Sequence, residues 1–240
     1  MIQIFSKEFN GFLHSLIAYL VIGVFLTGMG LLIWVFPETS VLDYGYADLD
    51  TLFSMAPYVF IFLIPAITMK SFAEERKLGT LELLLTKPLT DWDIVLGKFL
   101  AAFALILVAL LPTLIYYFSV SRLGNPVGNI DTAAVVGSYI GLTLLAAVFC
   151  SIGIFTSTFS NNQIVSFILA AFFCFLFYTG FDSVSSFAGN SALLVKQFGI
   201  LYHYESLSKG LIDSRDVIYS LSLTGLLLLA TKIVVSSRLW

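Results

Sequence analysis

The chain of 240 residues is 59% hydrophobic and only 11% charged, with a mean hydropathy of +0.97, whereas soluble domains carry about 25% charged residues. Too few polar side chains exist to cover a water-facing surface, which excludes a soluble globule and intrinsic disorder alike. With 12 basic against 15 acidic residues the net charge is −3, so the chain lacks the electrostatic footprint that nucleic acid requires.

In chain order, Ile4, Phe5, Phe9 and Phe12 set beside Ser6, Lys7 and Glu8 predict an amphipathic helix over 1–14 lying along the membrane interface. His14 closes it at the water boundary, where an amphipathic ring is comfortable. A bilayer core roughly 30 Å thick needs about 20 apolar residues in a helix. Uncharged runs occupy 16–36, 51–69, 99–120, 132–159, 163–181 and 217–235, the last broken only by Lys232. These runs are continuous rather than alternating, and open strands would leave backbone groups unpaired in lipid, so six helical spans are expected rather than a barrel. The first run is too long for the apolar core of a signal peptide and no net positive charge precedes it, so it should remain in the mature protein. Between the fourth and fifth runs, Ser160-Asn161-Asn162 is a break short enough to force an antiparallel hairpin. Pro57 and Pro65 in the second run, with Gly23, Gly28 and Gly30 in the first, offer bends and close-packing points. Gly137, Gly141, Ala146 and Ala147 in the fourth read as static packing.

Six spans put both ends on one side. The termini and the even connectors hold Lys7, Lys70, Arg76, Lys77, Lys87, Lys98, Lys232 and Arg238; the odd connectors hold Arg122, Lys196, Lys209 and Arg215. The excess assigns both termini to the cytoplasm. The first connector carries Glu38, Asp43, Asp48 and Asp50 and no cation, and is expected to face outward.

The connector 70–93 concentrates charge: Lys70, Glu74, Glu75, Arg76, Lys77, Glu82, Lys87, Asp91 and Asp93. Leu78, Leu81 and Leu85, joined by Leu84, recur at helical spacing and predict an apolar stripe in need of a partner. Gly79 allows a bend, Pro88 stops the helix, and Thr90 with Asp93 forms a capping-box pattern before the third span. Such an element, clamped between two spans, suits a lever. The later stretch 182–216 is too long for a bare turn and carries Phe187, Leu193, Leu194, Val195, Phe198, Ile200 and Leu201, so it should pack back onto the outer mouth of the bundle. Within it His203 reads as a surface histidine, because no second His or Cys stands at metal-ligand spacing. Cys150 and Cys174, both inside apolar runs, read as small buried filler.

The chain has no fuel site of its own. Gly97-Lys98 is its sole Gly-Lys pair and lacks the upstream glycine of a phosphate-binding loop. No expected span places an ionisable residue at its centre, where ion-coupled pumps need one; Lys98 and Lys232 are expected to snorkel at membrane edges. Transport against a gradient would therefore be driven by a separate subunit.

The run Glu75-Arg76-Lys77-Leu78-Gly79-Thr80-Leu81-Glu82-Leu83-Leu84-Leu85-Thr86-Lys87-Pro88, followed by Gly97-Lys98, resembles the ABC-2 type transporter permeases. That resemblance implies an all-α polytopic membrane protein with six transmembrane helices in the type V exporter-like fold. It implies a permease dimer, a homo- or heterodimer with a second permease subunit, in the cytoplasmic (inner) membrane, and ATP with Mg2+ bound in a partner ABC ATPase subunit rather than in this chain. The loop between the second and third spans would be the coupling helix, with Glu74, Glu75, Arg76, Gly79, Thr80 and Glu82 at the ATPase contact, and 1–14 the family's interfacial helix. Phe60 to Glu75, and His203 to Asp216, further resemble the gliding-motility-associated permease subunits of Bacteroidetes. Two other classes stay open on sequence grounds: a passive channel or facilitator, and a membrane scaffold recruiting motility or envelope machinery. The channel is disfavoured by sparse hydroxyls in the spans (Thr143, Ser151, Thr156, Ser157, Ser166, Thr179). An intramembrane enzyme has no nucleophile or acid-base constellation to support it.

Overall fold

A computed structural model describes residues 1–85, 88–187 and 189–237. Thr86, Lys87 and Arg238, used in the sequence reading, lie outside the described residues, as does the side chain of Leu85. Among the described residues the chain is helical and without strands. The helices are α1 (Ile2–Leu13), α2 (Leu16–Trp34), α3 (Val41–Tyr44), α4 (Asp50–Thr68), α5 (Ala73–Lys77), α6 (Thr80–Leu85), α7 (Asp91–Leu110), α8 (Leu114–Leu123), α9 (Thr132–Thr156), α10 (Gln163–Phe175), α11 (Phe181–Ser185), α12 (Ala192–Gln197), α13 (Ile200–Leu207) and α14 (Ser214–Ser237).

Among the described residues six helical stretches are long and apolar enough to cross a bilayer: Leu16–Trp34, Asp50–Lys77, Asp91–Leu123, Thr132–Thr156, Gln163–Ser185 and Ser214–Ser237. Their starts are chemically marked. Asp131 accepts from the amides of Ala133 and Ala134 to open α9, Asn162 accepts from Ile164 N to open α10, and Thr90 with Asp93 forms a reciprocal capping box at α7. The third stretch starts at Asp91, ahead of the uncharged run at 99, because the cap fixes the first turn while Ile94, Val95 and Lys98 are already buried. Pro112, which cannot donate to the helical ladder, coincides with a 3-10 turn over Leu111–Thr113 between α7 and α8. The fifth is interrupted by a π turn over Leu176–Gly180, whose buried Tyr178 ring meets Tyr58, Phe149 and Tyr204.

The second, third and fourth spans form the inner layer, with 61%, 61% and 67% of their most apolar windows buried, against 22%, 28% and 22% for the first, sixth and fifth. Apolar side chains such as Leu20, Val24, Ile168, Phe172, Leu226 and Ile233 stay exposed on the outer layer, as suits lipid contact. Small residues set the closest approaches around α9. A Cβ on Gly153 would stand 2.0 Å from Thr68 Oγ1, one on Gly141 2.6 Å from Leu207 Cβ, and one on Gly137 2.5 Å from the carbonyl of Gly210. The expectation for the first span is corrected. A Cβ on Gly23 or Gly28 would meet nothing within 4 Å, so these glycines are not packing points within the chain; Gly30 approaches Tyr116 Oη.

The two ends of the bundle differ. At one end α1, the α5–α6 connector and the 157–162 hairpin gather. At the other, α13 closes over the inner spans: Tyr204 Oη donates to Phe53 O at 2.6 Å and Ser138 Oγ to Ser208 O at 2.8 Å. The stretch 182–216 thus packs back through α13 and the turn after it, with Ile200, Tyr204 and Leu207 buried and Gly210 against α9, whereas Phe187, Leu193, Leu194 and Phe198 remain exposed.

Candidate functional site

The connector is two short helices set at an angle by one residue. Gly79 has φ +67°, a left-handed conformation that costs glycine nothing and other residues about 1–2 kcal/mol. Before it, α5 has Glu74 and Glu75 in its first turn and Arg76 and Lys77 in its last, complementing the helix dipole. The bend splits the expected leucine stripe. Leu81 is 2% exposed and Leu84 packs against the core, but Leu78 is 66% exposed. Lys77, Leu78, Gly79, Thr80 and Glu82 make up a projecting tip, with Thr80 Oγ1 donating to Glu75 O at 3.3 Å.

Of the residues expected at a partner contact, Glu74, Glu75 and Arg76 are half-buried, and Glu75 and Arg76 make contacts within the chain. Arg76 Nη1 donates to the carbonyl of Thr158, just past the end of α9. Glu75 enters an ionic junction beneath α5. Its Oε1 accepts from Lys7 Nζ at 3.1 Å, and its Oε2 lies 3.0 Å from Lys98 Nζ, a charge contact without an aligned hydrogen bond. Lys98 Nζ donates to Glu8 Oε1 at 2.9 Å and to Ser71 O at 2.7 Å, and stands 5.2 Å from the Phe72 ring centroid.

The side chain of Lys98 is 1% exposed, which corrects the expectation that it snorkels to a membrane edge: it points into the protein. The cause is α1. Gly97 lets that helix lie against α7, since a Cβ there would stand 2.8 Å from Ile4 Cγ2, and this contact brings Glu8 to Lys98. Glu8 and Glu75 balance Lys7 and Lys98, so the junction is formally neutral, as burial of charge demands. Removing Lys98, its buried member, costs about 3–5 kcal/mol, although an apolar substitute of equal volume paired with loss of a carboxylate would serve stability as well; Lys7, 62% exposed, sits at the edge of the set. Burial alone would lower the pKa of Lys7, but the carboxylates of Glu75 and Glu8 outweigh it and hold the ammonium above the usual lysine value of 10.5.

Sequence reasoning found the connector but not the junction. The available signal was the Gly97-Lys98 pair at a span's foot with a carboxylate in the leading helix. His203 was also misread. It is a clasp, not a free surface group: Nδ1 lies 2.7 Å from Asp216 Oδ1, Nε2 2.9 Å from Gln197 O, and the ring stacks on Tyr219 at 3.9 Å. Ser206 Oγ donates to the other oxygen of Asp216. The clasp ties α13 to α14 beside a cavity of about 970 Å³ lined in part by Leu194, Phe198, Lys209 and Arg215.

No curated protein matches the chain. The family model described as ABC-2 family transporter protein matches residues 2–235. With six helices long enough to span a bilayer and that match along almost its whole length, the chain belongs to the ABC-2 transporter family and is a multi-pass membrane protein.

Proposed function

We propose that the chain is the membrane-spanning permease subunit of an ATP-driven exporter, working as a dimer with a second copy or a different permease chain in the cytoplasmic membrane. Separate ABC ATPase subunits bind ATP with Mg2+ and dock on the connector 70–93. The observation that carries this reading is the construction of the connector. A projecting tip at 77–82 is carried on a helix whose next residues, Glu75 and Arg76, are tied to the third and fourth spans. A push on the tip is therefore delivered to the bundle. Of the six expected contact residues, Gly79, Thr80 and Glu82 meet the ATPase, Glu74 borders them, and Glu75 and Arg76 pass the displacement on. Closure of the ATPase pair on ATP pulls both tips, and rearrangement of the spans opens a path between the two permease chains.

We read the sidedness from charge. Lys7, Lys70 and Lys77 accompany the connector end, while Glu38, Asp43, Asp48 and Asp50 lie in the opposite connector, and this asymmetry supports a cytoplasmic tip and cytoplasmic termini. An impermeant thiol reagent applied outside should label a cysteine introduced near Asp48 and spare one near Lys77. Gliding motility is the process we assign, on the strength of the sequence segments 60–75 and 203–216. The direct test is purification from native membranes in mild detergent. A P-loop ATPase should co-purify, and Gly79→Val or Glu82→Lys should reduce its retention or its turnover. An intact complex with unchanged turnover in both variants contradicts the docking reading and favours the scaffold or passive-channel alternatives.

A further inference from the structure

A buried ion is a poor choice where only filling is needed. An apolar side chain as long as Lys98 would occupy the same slot without the desolvation cost of an ammonium. What the ion adds is direction: Lys98 donates to a carboxylate on one segment and to a backbone carbonyl on another, and holds a second carboxylate in charge contact. Glu8 lies on α1, Ser71 precedes α5, and Glu75 lies on α5, while Lys98 itself belongs to α7. Successive residues on a helix stand about 100° apart, so Glu75 and its neighbour Arg76 leave the same turn in different directions. Glu75 reaches the foot of the third span, and Arg76 reaches the carbonyl that follows the fourth. One short helix is thus attached by two separate branches to two inner spans, and the Lys98 branch also takes in α1.

We propose that Lys98 is a positioning residue that makes α5, α1 and the foot of the third span move as one body, separately from the Arg76 branch to the fourth span, when an ATPase docks on the tip at 77–82. The proposal rests on the docking reading above and adds the path by which displacement divides. The leading helix is then a moving part of the permease rather than a passive float on the membrane surface. Gly97 belongs to the same device, because a side chain there would lift α1 away and leave Lys98 without Glu8.

The test uses the full chain in complex with its ATPase in nanodiscs. Hydrogen exchange is followed in segments 2–13, 91–99 and 157–162, with ADP and with a non-hydrolysable ATP analogue plus Mg2+. In the native complex all three segments should change their exchange rate with nucleotide. Lys98→Met combined with Glu75→Gln leaves no unbalanced charge. It should keep the ATPase bound and keep the response at 157–162, with loss of the response at 2–13 and 91–99. Lys7→Gln combined with Glu8→Gln, which spares the pair between Lys98 and Glu75 and takes both side chains of α1 out of the junction, should silence 2–13 alone, and Lys98→Arg should keep all three. Native-like responses in both double variants would overturn the proposal. So would simultaneous loss of all three responses in the Lys7→Gln, Glu8→Gln variant, which would mark the junction as merely structural. No response in the native complex with the ATPase still bound overturns the docking reading together with this one.

Discussion

The two ends of the bundle hold their peripheral segments to the spans by different chemistry. At the connector end the tie is ionic and centred on a buried ammonium: Lys98 with Glu8 and Glu75, and the exposed Lys7 at its edge, join three segments distant in sequence. At the opposite end the more buried ties are rings and hydroxyls, Tyr204 on the carbonyl of Phe53 and His203 stacked on Tyr219, with Asp216 as the one carboxylate in the clasp, and the Lys196–Asp182 ion pair is partly exposed to solvent. Close packing and hydroxyl bonds hold a lid in one geometry. A set of paired charges holds segments together while leaving them able to exchange partners, since an ammonium with two carboxylates in reach has more than one favourable arrangement. On the proposed docking of an ATPase at the tip, the difference marks the connector end as the one suited to being moved.

Single substitutions break that comparison in a definite order. Lys98→Met leaves Glu8 and Glu75 to share Lys7 alone at the foot of the third span. It should cost about 3–5 kcal/mol, read as a fall in Tm of the detergent-solubilised protein, and adding Glu75→Gln should recover most of the loss. At the other end, Asp216→Asn removes the carboxylate that receives His203 and Ser206. It should cost about 1.5–3 kcal/mol and leave ATPase retention untouched. Glu82→Ala at the exposed tip should alter Tm by no more than the equivalent of about 0.5 kcal/mol while lowering ATPase retention, the reverse of the Asp216 result.

The smallest effect concerns pH. Because Lys7 is held above 10.5 in the folded chain, its attraction to Glu75 and Glu8 is fully present below that value and is lost as pH rises through its folded-state pKa. The Tm difference between the native chain and Lys7→Gln should therefore stay constant from pH 7 to 9, as thermal melts across that range would show, and shrink only in strongly alkaline buffer. A difference that already closes between pH 7 and 9 would remove Lys7 from the junction.

Much of the fold was legible because lipid imposes a simple rule: runs of uncharged residues long enough to cross a bilayer become helices. The capping box at Thr90 and the bend at Gly79 were legible because both depend on local sequence. What could not be read was direction. Lys98 borders an apolar run and so resembles an edge residue, and only the approach of α1 over Gly97 shows that it points inward. The leucine stripe failed for a related reason: Gly79 rotates α6 relative to α5, so helical spacing counted across it groups Leu78 with residues on another face. His203 looked solitary because its carboxylate, Asp216, belongs to the next helix, and adjacency between α13 and α14 is a property of the fold.

The central claim is that the 77–82 tip is where an ATPase takes hold of the permease. A photoreactive amino acid placed at Thr80 tests it in native membranes, with the same group at Leu211 at the opposite end as the reference. The account predicts a crosslink from Thr80 to a P-loop ATPase and none from Leu211; a crosslink from Leu211 to that ATPase, with Thr80 silent, would contradict it.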